Sequence, residues 1–120
     1  MKPRINRTSF GSITVGGENY QHDIYITLKG KVKKRRKKLS KAIYGTSHTI
    51  SEDEIRFIYR KGATGLIVGN GQYGAAGLSD EAIEFLQAKK CRILICPTPE
   101  AAREWNDAKG AWISLFHITC

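Results

Sequence analysis

No apolar run in this chain approaches the ~20 residues needed to carry a helix across a bilayer. None follows Met1-Lys2-Pro3-Arg4 either, so a secretory leader is not expected and the cytoplasm is the expected compartment. Cysteine is scarce and odd in number: Cys91, Cys96 and Cys120. Cys91 and Cys96 flank a short apolar run, and a strand there would hold them too far apart to bridge. That is the pattern of a reduced intracellular chain. No C-x-x-C and no close histidine pair occurs, so no metal site is expected. The Gly-Lys-Ser/Thr of a phosphate-binding P-loop is missing as well.

What remains fits one soluble domain. The 120 residues hold a real core but scarcely two, and 41% hydrophobic with 26% charged residues is ordinary for a globular fold. The net charge of +9 is less ordinary. Between Lys29 and Lys41 lie nine basic residues and no acid, which leaves the rest of the chain neutral overall. The basicity is one segment, read as a lysine-protected edge strand or a mobile loop. Within it Lys33, Lys34, Arg35, Arg36, Lys37 and Lys38 are the candidates for contacting a polyanion, by neutralising phosphates. Tyr44 is the one aromatic nearby, so the stacking platforms of single-strand binders are missing.

Ser12-Ile13-Thr14-Val15 alternates, Gly16-Gly17 signals a turn, and Asp23 to Leu28 alternates again, which predicts a β-hairpin or meander. Ser51-Glu52-Asp53-Glu54 is a capping box in which Glu54 reaches back to the Ser51 amide, opening a helix that Gly62 stops. A buried strand over Thr64–Val68 follows, then a helix capped by Ser79, an apolar run over Arg92–Cys96 typical of a buried strand, a helix opened by Thr98 with Pro99 at its first position, and a last strand over Ala111–Ile118. Strands alternating with helices predict an α/β domain with a largely parallel core.

The turn Gly69-Asn70-Gly71-Gln72-Tyr73-Gly74 has the outline of a dinucleotide loop. Three features oppose that reading. The helix starts well beyond the glycines, Asp80 and Glu81 occupy the first turn where a phosphate would sit, and the strand ending at Cys96 carries no acid for a ribose. No cofactor is therefore expected, and a plain turn at the end of a parallel strand is favoured. His117 and Cys120 could bind a metal or form a thiol–imidazole pair, but on a strand they point to opposite faces unless the chain turns. Helix starts account for the carboxylates Glu52, Asp53, Glu54, Asp80 and Glu81.

Taken in series, Gly45-Thr46-Ser47-His48, Thr64 through Gly71 and Phe116-His117-Ile118-Thr119-Cys120 resemble the Mth938-like domain family. That family, of largely unassigned function, includes an adipogenesis-associated protein and a mitochondrial complex I assembly factor. The resemblance implies a three-layer α/β fold with a mixed central sheet, a parallel core and additional N-terminal β-structure, and it implies no established activity. His48, Gly69, Gly71, His117 and Cys120 match the family and are the candidate lining of a shared pocket. Gly74 and the density of the basic segment depart from the pattern.

Three functional readings follow. The first is a non-catalytic accessory or assembly-type protein with a protein partner and no membrane. The second is an enzyme or ligand-binding domain at the Gly69–Gly71 loop, favoured by a clustering of His48, His117 and Cys120 beside it. The third is a polyanion-associated protein, for which neutralising Lys33 to Lys38 would abolish salt-sensitive binding.

Overall fold

A computed structural model describes residues 2–120. The chain opens with an antiparallel meander of β1 (Ile5–Ser9), β2 (Ser12–Val15) and β3 (Glu18–Tyr20). The turn expected at Gly16-Gly17 is there, with both glycines at positive φ, but it leads into β3. The segment expected to complete the hairpin leaves instead for a second sheet as β4 (Ile24–Ile26). Ile24, Tyr25 and Ile26 are all buried, because β4 is covered on both faces.

The second sheet is the centre of the molecule. Its order is β5 (Val32–Lys34), β4, β10 (Trp112–His117), β7 (Gly65–Asn70) and β9 (Arg92–Cys96). β4 pairs antiparallel with both β5 and β10, whereas β10–β7 and β7–β9 are parallel. The continuous apolar character of β7 and β10 follows from burial on both faces. Alternation reappears as a choice between two cores. Ile67 and Phe116 pack with the meander and with Trp105 of α4 (Thr98–Asp107). Leu66, Val68, Ile113 and Leu115 pack against α2 (Glu52–Ile58) and α3 (Asp80–Ala88). The result is three layers around a mixed sheet with a parallel core.

Two further elements complete the fold. α1 (Lys38–Tyr44) lies in the second half of the basic segment, where a strand or loop was expected. It buries Ser40 and ends at Gly45, whose left-handed φ of 71° lets its amide close on Lys41 O. Short strands β6 (Thr49–Ile50) and β8 (Gly77–Leu78) pair in parallel between the helices. Among the described residues no helix is long and apolar enough to cross a membrane.

Three helix ends differ from expectation. Ser51 caps α2 by accepting from the Glu54 amide, but the Glu54 carboxylate turns inward and the Ser51 amide bonds Ser40 Oγ at 2.9 Å. α2 also stops at Ile58, with Tyr59 extended, so Gly62 serves a later turn. α4 starts at Thr98 after Pro97, because the Thr98 hydroxyl is committed elsewhere. The Ser79 cap of α3 is as expected.

Candidate functional site

Asp23, at the passage from the meander into β4, organises the buried polar centre. It is 2% exposed. Its Oδ1 accepts from the Ile118 amide at 2.9 Å, and Oδ2 accepts from His117 Nδ1 at 2.7 Å and Arg35 Nη1 at 2.9 Å. Lys37 Nζ stands 3.6 Å from the same oxygen. Arg35 then continues inward. Its Nε and Nη2 grip the two oxygens of Glu54 at 2.7 and 3.1 Å, and Nη2 also donates to Ser47 O at 2.8 Å. Glu54 additionally accepts from the Ser40 hydroxyl.

Charges this deeply buried persist only when paired and hydrogen-bonded throughout. Burial alone would push the Asp23 carboxyl up, but the bonds from His117, Ile118 and Arg35 outweigh it and hold it at about 2. Burial would likewise lower the Arg35 pKa, and Glu54 with Asp23 more than reverse that. Two carboxylates face one guanidinium here, and Lys37 is the further cation nearest to Asp23.

Two features adjoin this centre. A cavity of about 710 Å³ is lined by His22, Leu39, Ile118, Thr119 and the basic segment from Lys34 to Lys38. Close to it, His48, His117 and Cys120 bring one ligand atom each within 4.8 Å of one another. The chain does turn after β10, so His117 and Cys120 meet despite the opposite faces a continued strand would give them. Cys120 Sγ lies 3.7 Å from His48 Nε2, and the His48 and His117 rings stand edge to face at 5.2 Å. His117 Nε2 is 3.2 Å from Thr119 Oγ1.

The glycine loop builds this cluster. A Cβ on Gly71, whose φ is 107°, would lie 2.4 Å from Cys120 O and 3.1 Å from His117 Cδ2. A Cβ on Gly69 would meet Phe116 at 2.7 Å and Thr98 Oγ1 at 2.9 Å. Both positions are glycine because protein fills the space. The loop's amides are committed as well: Gly71 N to Thr98 Oγ1, Gln72 N to Thr119 O, Ala75 N to Cys120 O, Ala76 N to Asn70 O and Gly77 N to His48 O. A dinucleotide loop offers its amides to phosphate, whereas this one spends them on Thr98, Asn70, Thr119, Cys120 and His48.

Of the basic candidates, Lys33, Lys34, Arg36 and Lys38 are exposed and Lys37 is partly so. Arg35 is not available to a polyanion, because it is 4% exposed and fully engaged by Asp23, Glu54 and Ser47. Sequence reasoning missed Asp23 and Glu54 altogether. For Glu54 the cap motif supplied a sufficient local explanation, and for Asp23 no local signal marks the partners.

Residues 5–110 match the model of a family described as proteins of unknown function, DUF498/DUF598. The chain belongs to that family. Within the Mth938-like fold of DUF498/DUF598, the conserved hypothetical protein PH1505 from Pyrococcus horikoshii aligns at a TM-score of 0.91 and 28% identity, over 98% of this chain and 99% of that one. MT938 aligns at 0.85 and 29% identity, over 99% and 100%. A Mth938-like domain protein from Bordetella pertussis shares the fold at 0.63 and 15% identity, over 97% and 85%. No curated protein matches. The resemblance read from the sequence therefore holds for family and fold.

Proposed function

We propose that this DUF498/DUF598 protein acts by binding, as an accessory protein, and that its ligand is an organic anion with an apolar body held in the cavity beside Asp23. The observation that carries the reading is the composition of the cavity wall. Lys34, Arg36, Lys37 and Lys38 stand around it, with Leu39 and Ile118 supplying apolar surface. Its one acid, Asp23, is buried and already matched by Arg35. A volume of about 710 Å³ suits a small ligand, which sites of this kind hold by apolar contact and a few placed polar groups. Cationic side chains at the rim of an apolar cavity attract an anion through a field that salt screens. This reading moves the binding site from the Gly69–Gly71 loop to the cavity beside the basic segment.

The test is calorimetric titration with octanoate and phenyl phosphate, each beside a neutral analogue of equal size, in low and high salt. Binding of the anions alone, weakened by salt and by Lys34→Ala with Lys38→Ala, supports the proposal. Equal binding of the neutral analogues, or no loss in the double variant, overturns it. Heparin run in parallel separates a polyanion surface from a cavity ligand, because only the former is unaffected by saturating octanoate.

A further inference from the structure

We propose that His48, His117 and Cys120 form a binding site for a borderline-soft divalent cation of the zinc class. This goes beyond the cavity reading and does not depend on it. The ligand set is chemically apt, since imidazole nitrogen and thiolate sulfur are the donors zinc takes in tetrahedral sites. With zinc bonds of about 2.0–2.1 Å to nitrogen and about 2.3 Å to sulfur, tetrahedral geometry separates a nitrogen from a sulfur by roughly 3.6 Å. His48 Nε2 and Cys120 Sγ stand 3.7 Å apart. An isolated thiol–imidazole hydrogen bond would have a similar length, but it would not gather a third donor within 4.8 Å.

The surroundings of His117 argue the same way. Its Nδ1 donates to the Asp23 carboxylate at 2.7 Å, which leaves Nε2 as the acceptor nitrogen on the side of Thr119, His48 and Cys120. A carboxylate behind an imidazole in this manner is how proteins orient metal-binding histidines and raise their basicity. Asp23 is itself held by Arg35 and the Ile118 amide, so the orientation is rigid. Thr119 Oγ1 meets Nε2 at 3.2 Å, and a rotation of that hydroxyl frees the lone pair.

Each ligand has a separate anchor. His48 precedes β6 and its carbonyl accepts from Gly77 at 2.8 Å. His117 ends β10, and Cys120 O accepts from Ala75 at 2.9 Å across the gap that Gly71 leaves open. Three protein ligands leave a fourth position for water or an anionic group, the arrangement of zinc sites that are not purely structural.

The experiment adds Zn²⁺ alone, and Co²⁺ as a spectroscopic stand-in, to the reduced, chelator-treated protein. One equivalent should bind, raise the melting temperature, and with Co²⁺ give a near-ultraviolet sulfur-to-cobalt charge-transfer band. Cys120→Ser should abolish that band. His48→Ala should weaken Zn²⁺ binding by at least the ~10–100-fold that loss of a ligand's supporting carboxylate costs. Both side chains are partly exposed, so these variants keep the fold, which circular dichroism verifies. No stoichiometric binding, or equal affinity in wild type and both variants, overturns the proposal. So does a cobalt spectrum without a thiolate band.

Discussion

Arg35 and Glu54 meet in a two-point contact of 2.7 and 3.1 Å with neither side chain open to solvent. The contact ties the basic segment to the first turn of α2. It also converts what looks like a solvated lysine-rich stretch into a part of the core.

Replacing Arg35 should therefore be costly. Arg35→Ala leaves Asp23 and Glu54 buried without their main cation, and loss of about 3–5 kcal/mol is expected in urea unfolding. Arg35→Lys should recover only part of it, since a lysine cannot grip two oxygens at once. Lys33→Ala, at an exposed position on the edge strand, should fall within about 0.5 kcal/mol of wild type.

Stability should fall at acid pH through Asp23. Burial raises its pKa and the bonds from His117, Ile118 and Arg35 lower it further than that, to about 2 against 3.8 for an unperturbed aspartate. A depressed carboxyl contributes fully above its unfolded value and loses the contribution as pH falls through the folded one. In chelator-treated protein, about 2 kcal/mol should disappear between roughly pH 4 and pH 2. Asp23→Asn, followed by urea unfolding at each pH, should be less stable at neutrality and show a shallower acid slope.

Gly71→Ala should destabilise by more than about 1 kcal/mol, because it combines a left-handed φ with a collision against Cys120 O. It should also speed labelling of Cys120 by a thiol reagent, as residues 117–120 are pushed off the loop. Gly77→Ala is the control: an added Cβ there meets nothing within 4 Å, and thermal melting should be nearly unchanged.

In the native protein at mild alkaline pH, Cys120 should be the thiol that reacts first. Cys91 and Cys96 are buried, and burial raises both their pKa values, Cys96 to about 11 with help from Glu100. Mass spectrometry after brief alkylation should find one modification, at Cys120. Rapid labelling of Cys96 would contradict the packing of β9 against α4.

Much of the fold was legible where local chemistry and final structure agree. The Ser79 cap, the apolar run of β7 and the Gly16-Gly17 turn need only near neighbours to explain them, whereas the apolar run of β9, typical of a buried strand, lies at the sheet edge with Arg92 and Ile95 exposed. α1 was hidden because it has seven residues, no side-chain cap and a single buried residue, Ser40, between two lysines in sequence. β6 and β8 are two residues each, too short for any periodicity. The site was harder still. His48, His117 and Cys120 were named as matching positions, but their meeting depends on a turn after β10 and on the space at Gly71. Arg35 finds its partners 12 and 19 positions away, and nothing in a lysine-rich run distinguishes the residue that will turn inward.

The sheet divides the molecule unequally. Asp23 shares its parity with Tyr25, and His117 with Leu115, so the polar centre leaves β4 and β10 toward the α2 layer. The meander and α4 hold the other face through Ile13, Ile67, Trp105 and Phe116, with Thr98 as their contact to the chemistry. One wall of this fold is therefore free to drift, exchanging one apolar side chain for another as long as the volume is kept. The opposite wall is fixed by charges that cannot be replaced singly.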